Sequence, residues 1–359
     1  MEEYTGRHYM ISAIKRQYTD RIPTTVLIGP YCAKLKNYTV KEILTDAGKA
    51  ADAHLAFHER FQPDSIVVYN DIYMELEAVG CELEFPENSI SHPKDTVLKE
   101  RSQLAGLKVP DPKKDGRLPY FFELCERVSS TIRKTTPMGL GQSGPWNLAM
   151  HLRGTENLIV DDVMEEPKFV HDLMRFTTEV VRTFGDALLE AGDSVSLGEA
   201  TASCSLISPK IYREFVKPYH KELNDYFRSK KAPISLHICG YIDPIMEDIL
   251  DTGINFISLD SPSSLKKLVE LSNGKITIMG NVPTSLYAAG TQEEMEEAVR
   301  NCIETAAEGS GYILCSGCEI PSNSTEDRID HFFRYGHQYG QEYISRLRDQ
   351  KPELFSTSG

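Results

Sequence analysis

Long apolar runs are missing from this 359-residue chain: no stretch reaches the roughly 18 residues that a membrane-spanning helix needs. Its opening, MEEYTGRHYM, also lacks the basic-then-apolar order of a secretory signal, so the expected compartment is the cytoplasm. Basic charge is in short supply as well. Thirty-nine Lys and Arg against 53 Asp and Glu leave a net charge of −14, which argues against nucleic acid or an anionic membrane as the main partner, because phosphate recognition calls for a basic face. No low-complexity tract, short repeat or Pro/Gly/Ser linker divides the chain. Two common catalytic signatures are absent too. No candidate strand leads into G-x-G-x-x-G, and GLGQSGPW at 139–146 fails G-x-S-x-G because Pro145 takes the last position.

What is present is an alternation of short β-branched runs with amphipathic helices. Residues 165–192 carry Phe169, Leu173, Phe176, Val180 and Phe184 at three- and four-residue spacing, the stripe of a helix lying on a sheet, and stop at Gly192. Residues 290–309 begin with Thr291 and place Glu294 three residues on, the pattern of a capping box. Candidate strands lie at 24–30, 65–71, 136–146, 194–200, 234–240, 254–260, 275–282 and 311–319. Eight such runs with helices between them predict an α/β fold, a closed (β/α)8 barrel, with a doubly wound open sheet as the competitor. The expected organisation is a single barrel domain over 1–345 with an N-terminal helical extension, followed by a tail at 346–359.

Barrel chemistry sits at the C-terminal mouth, so strand ends deserve collection. They are Asp71, Glu199, His237, Cys239, Asp260, Asn281, Cys315 and Cys318. Eight cysteines scattered over a long chain do not form a disulfide framework, so some are expected as ligands and most as packing residues. In ISLHICG, His237 and Cys239 are two apart and share a strand face, which fits either two core neighbours or two metal ligands. One imidazole and two thiolates around zinc, with a fourth position open, suit an exchangeable ligand. Cys315 or Cys318 would complete that set, and Cys318 is better placed because it follows the Gly317 turn. Asp260 reads equally as a further ligand, a partner orienting His237, or a capping carboxylate. Asp71 and Glu199 are candidates for proton work or for turn and cap acceptors, and Asn281 completes the catalytic candidates.

The stretches YNDIYMELEAVGCELEF, GPWNLAMHLRGTENL, LISPKIYREFVKPYHKEL, LHICG, SLDSP, IMGNV and SGCEIP together resemble the uroporphyrinogen decarboxylase superfamily over residues 60 to 325 or so. Within it, H-x-C followed much later by G-C-E is similar to the zinc-dependent corrinoid methyltransferases, typified by methylcobamide:coenzyme M methyltransferases. The resemblance implies a (β/α)8 barrel and zinc ligands at His237, Cys239 and Cys318. It further implies methyl transfer between a methylcorrinoid on a separate carrier protein and a thiol, or another small methylated substrate, in either direction, with a homodimer suggested by analogy. The rivals are a metal-free decarboxylase, a corrinoid-dependent demethylase of methoxylated compounds and a noncatalytic corrinoid-binding barrel. True decarboxylases carry an N-terminal arginine-rich stretch that grips a polycarboxylate; here the corresponding DRIPTTVLIGPYCAKLKNY offers Arg21 and no cluster.

Overall fold

The computed structural model describes residues 4–232, 234–309 and 311–355. Seven strands, Ile66–Val68, Met138–Ser143, Ser194–Gly198, Ile234–Ile238, Phe256–Leu259, Thr277–Val282 and Tyr312–Ser316, form one parallel sheet in chain order. The expected run at 24–30 closes the ring between the last strand and the first, but through isolated parallel bridges, Thr24 with Leu314 and Leu27 with Glu319. Side chains intercept its ladder bonds. Asp64 accepts from the Thr24 amide at 2.7 Å, Ser316 Oγ accepts from the Leu27 amide at 3.1 Å, and Pro23 has no amide hydrogen to give. On the other side, the Asp64 amide donates to the Thr24 carbonyl at 3.0 Å and Thr25 Oγ1 to the Ser65 carbonyl at 2.8 Å. Backbone bonds join this segment to the last strand as well, from the Thr25 amide to the Leu314 carbonyl and from the Leu314 amide to the Pro23 carbonyl, each at 2.9 Å, so the barrel is complete, with one member held by backbone and side-chain bonds together.

The helices follow their sequence signals. The long one runs Pro167–Ala191 and buries Leu173, Val180 and Phe184, with Phe169 and Phe176 half-buried at the edge of the stripe. Gln292–Ala306 starts with the expected capping box, Thr291 and Glu294 satisfying each other's amides at 2.8 and 3.2 Å. The N-terminal helix Gly6–Ile14 crosses the base of the barrel: Arg7, Met10, Ile11 and Ile14, at i, i+3, i+4 and i+7, face the interior. Arg7 holds it there with both Asp193 carboxylate oxygens at 3.0 Å. The last helix, Glu326–Gln350, continues past residue 345, the expected end of the barrel body, and Phe355 beyond it packs on Tyr18 at 4.5 Å between ring centroids. Residues 356–359 of the expected tail lie outside the described residues. Among the described residues no helix is long and apolar enough to cross a membrane.

Burial also sets the acid limit of the fold. It holds the imidazoles of His151 and His337 down, each to about 4, against an ordinary value near 6.5. Between those values the unfolded chain binds protons that the folded chain refuses, so stability is full above about pH 6.5 and is lost as pH falls towards 4. We expect the urea midpoint to drop across that window, with His151→Phe flattening part of the slope.

Candidate active site

The Ile234–Ile238 strand alternates outward Ile234, Leu236 and Ile238, buried against the helices, with inward Ser235 and His237. Cys239 continues the inward set one step beyond the strand. The chain then turns through Gly240 at φ +75, a conformation that costs glycine little. Cys318 arrives from the loop after Tyr312–Ser316, whose turn is pinned by the Gly317 amide on the Val282 carbonyl at 2.8 Å. The three side chains converge. His237 Nε2 lies 3.2 Å from Cys239 Sγ, the two sulfurs are 3.4 Å apart, and all three donor atoms fall within 4.8 Å of one another. Among the described residues this is the one such His/Cys/Asp/Glu cluster.

These spacings suit a metal. Four-coordinate tetrahedral geometry with Zn–S near 2.3 Å and Zn–N near 2.0–2.1 Å separates two sulfurs by about 3.7 Å and sulfur from nitrogen by about 3.6 Å, close to what the side chains already adopt. Cys318 is lowered because the Cys239 thiol hydrogen-bonds to it, and Cys239 is raised by the same contact. Burial alone pushes His237 down, but its hydrogen bond to Cys318 leaves it raised overall. His237 Nδ1 meets Ser258 Oγ at 3.0 Å on the neighbouring strand, which leaves Nε2 for the sulfurs.

The other candidates separate by direction. Cys315 is fully buried with Met10, Ala13, Met279 and Ile313, and burial pushes its thiol up to about 12, so it is a packing residue. Asp260 stays outside the donor cluster: one carboxylate oxygen accepts from the Gly240 amide at 2.7 Å and the other from the Ser261 amide at 2.6 Å, so it fixes the turn behind Cys239. Asn281 supports that same loop, donating to the Asp260 carbonyl at 3.2 Å and to the Ser263 carbonyl at 3.0 Å. Asp71 is buried and absent from the cavity lining; Arg117 donates to it at 2.6 Å, Ser91 donates to the same oxygen, and the Tyr73 amide donates to the other at 3.1 Å. Glu199 is likewise turned away from the cavity. It accepts from the Trp146 and Asn147 amides at 3.1 and 2.7 Å, at the start of the Pro145–Arg153 helix, and meets His220 Nε2 at 2.9 Å. Of the two sequence readings of Asp71 and Glu199, proton work or turn and cap acceptors, these contacts are those of the second, and each carboxylate, itself outside the cavity lining, takes three hydrogen bonds.

The cluster stands in the wall of a cavity of about 730 Å³ inside the barrel. Glu319, next to Cys318, is open to this cavity yet enclosed by surrounding protein, and burial followed by the Cys318 charge pushes its carboxyl up to about 8. Gly29, at φ +56, makes room for it, since a Cβ there would sit 3.0 Å from the Glu319 side chain. Ser258 and Glu319 escaped the sequence reading. Glu319 follows its cysteine directly, a usable signal, whereas Ser258 is identifiable only through the register that sets it beside His237.

Comparison with known proteins agrees with this architecture. A methyltransferase from Methanosarcina mazei superposes with a TM-score of 0.84 at 21% identity, covering 94% of this chain and 99% of that one. The methylcobamide:CoM methyltransferase MtbA of Methanosarcina acetivorans is 26% identical over 332 residues, 90% of this chain and 94% of the relative. A uroporphyrinogen decarboxylase of Mannheimia succiniciproducens is 25% identical over 355 residues, 93% and 97% of the two chains. The family model for uroporphyrinogen decarboxylase (URO-D) matches residues 5–339, and the chain belongs to that family.

Proposed function

We propose that this protein is a zinc-dependent methyltransferase that moves a methyl group between a corrinoid on a carrier protein and a thiol. The observation that carries this reading is the convergence of His237, Cys239 and Cys318 on a cavity wall at metal-ligand spacing. The soft donor set favours zinc among common divalent ions, and the names of the methylcobamide:CoM methyltransferase relatives support the chemistry. Zinc, when bound, supplies a Lewis acid that lowers the pKa of a thiol.

The chain's own residues hold and aim. Ser258 keeps His237 in one orientation and Asp260 fixes the turn carrying Cys239, so that a thiol held at the cluster would be fixed in place for direct displacement at the methyl carbon. The sulfur lone pair forms the new S–C bond while the Co–C bond breaks. Its electron pair stays on cobalt, which passes from Co(III) to Co(I), and the thiol proton leaves to solvent. No general acid is required, in keeping with the commitment of Asp71 and Glu199 elsewhere.

A decarboxylase of a polycarboxylated macrocycle would need cations around its substrate. The lining residues Arg7, Arg16 and Lys231 all lie by the N-terminal ends of strands, away from the cluster, and Arg7 is already paired with Asp193. Incubating zinc-loaded protein with methylcobalamin and a panel of thiols tests the proposal. We expect Co(I) absorbance and a methyl thioether, abolished by chelation and restored by zinc; undiminished turnover in the chelated protein would refute it. Ser258→Ala should weaken zinc binding by about 10–100-fold in chelator competition while leaving the fold intact.

A further inference from the structure

The barrel interior is hollow where most barrels of this kind are filled. Branched bulky residues usually occupy the inner layers. Here the inward positions of two adjacent strands are Gly139, Gly141 and Ser143, then Ser194, Ser196 and Gly198, and Ser235 follows on the third. Register aligns Gly141, Ser196 and Ser235 as one layer, directly below the layer of Gly198 and His237. The cavity passes this small-residue layer and reaches Met10, Ile11 and Ile14 of the N-terminal helix, near Ala232, roughly 16 Å of strand below His237. A hollow core costs stability, since space left beside apolar side chains forfeits their contacts.

The chemistry of the lining changes along this length. Around the cluster it contributes Leu27, Ile28, Ile72, the amide of Asn147 and Glu319, with no Lys or Arg, and the Asn70 amide lies lower, its oxygen 3.0 Å from where a Cβ on Gly141 would sit. Its cations belong to the base, where Arg7 is paired with Asp193 and Arg16 donates to the Lys275 carbonyl. An anionic group two or three bonds from the reacting sulfur would therefore meet a neutral amide and a carboxyl, with no cation to balance it.

Building on the proposed methyl transfer, we infer that the methyl partner is an uncharged thiol with a long apolar body, which threads past Gly141, Ser196 and Ser235 towards the N-terminal helix while its sulfur stays at the His237, Cys239 and Cys318 cluster. The cavity is of a size that encloses a drug-sized molecule, far more than a two-carbon thiol fills.

The test uses protein loaded with Co(II) in place of zinc, whose absorption reports thiolate ligation without turnover. Ethanethiol, butanethiol, hexanethiol and 2-mercaptoethanesulfonate are titrated in turn. Affinity is expected to rise about fourfold per added methylene, with the sulfonate weaker than butanethiol. Ser196→Leu should flatten the length dependence and leave ethanethiol unchanged. Ser235→Leu blocks the same layer from the next strand should the first variant fail to fold, and the series on the unaltered protein decides independently of both. Ligation by all the alkanethiols with affinity flat or falling with length, or tightest binding by the sulfonate, overturns this inference alone. Absence of a spectral response to any thiol overturns the methyl-transfer reading with it.

Discussion

Replacing Cys318 with serine is expected to strip the metal and abolish methyl transfer while the barrel stays folded. An outer partner of a metal ligand is worth about 10–100-fold in affinity, so loss of a ligand itself should exceed that upper figure. The same loss is expected for His237→Ala, because its imidazole is 3.2 Å from Cys239 Sγ and no other described histidine belongs to the cluster. Cys315→Ala is the control. Its thiol is fully buried in the cluster with Met10 and Met279 and is not among the three converging donors, so zinc should be retained at one per chain. Metal analysis after gel filtration reads all three variants, and circular dichroism shows whether each remains folded.

Asp71→Ala is expected to act on stability instead. The variant leaves the largely buried Arg117 guanidinium without its fully buried partner, and breaking a buried pair in this way costs about 3–5 kcal/mol. Arg117 keeps Glu77 at 2.6 Å, which places the expected loss at the lower end of that range. Chemical denaturation should show a clearly lowered midpoint, while the folded protein binds zinc and turns over methylcobalamin at the unaltered rate. A fall in kcat at unchanged stability would instead return Asp71 to the chemistry.

These two outcomes divide what periodicity can read from what it cannot. The period-2 alternation of ISLHICG was enough to put His237 and Cys239 on one inner face, and the Thr291 and Glu294 cap was legible three residues apart. The choice of Cys318 over Cys315 followed from its position beyond Gly317. The carboxylates resisted, because their direction is set by partners distant in sequence: Asp71 by Arg117, Glu199 by His220 and the Trp146 and Asn147 amides. A strand-end position says that a carboxylate is near the mouth, not which way it turns. The segment at 24–27 gave a similar difficulty, its pairing being shared between backbone bridges and the side chains of Asp64 and Ser316. The hollow core, by contrast, is written in the glycines and serines at alternate positions of 139–143 and 194–198, visible once the inward set is known.

X-ray absorption at the zinc edge tests the central claim most directly. The account predicts one zinc per chain, with two sulfurs near 2.3 Å, one imidazole nitrogen near 2.0–2.1 Å and one further light ligand that is replaced by sulfur when a thiol is added. A first shell without sulfur, or one with two sulfurs that does not change on addition of any thiol, would contradict it.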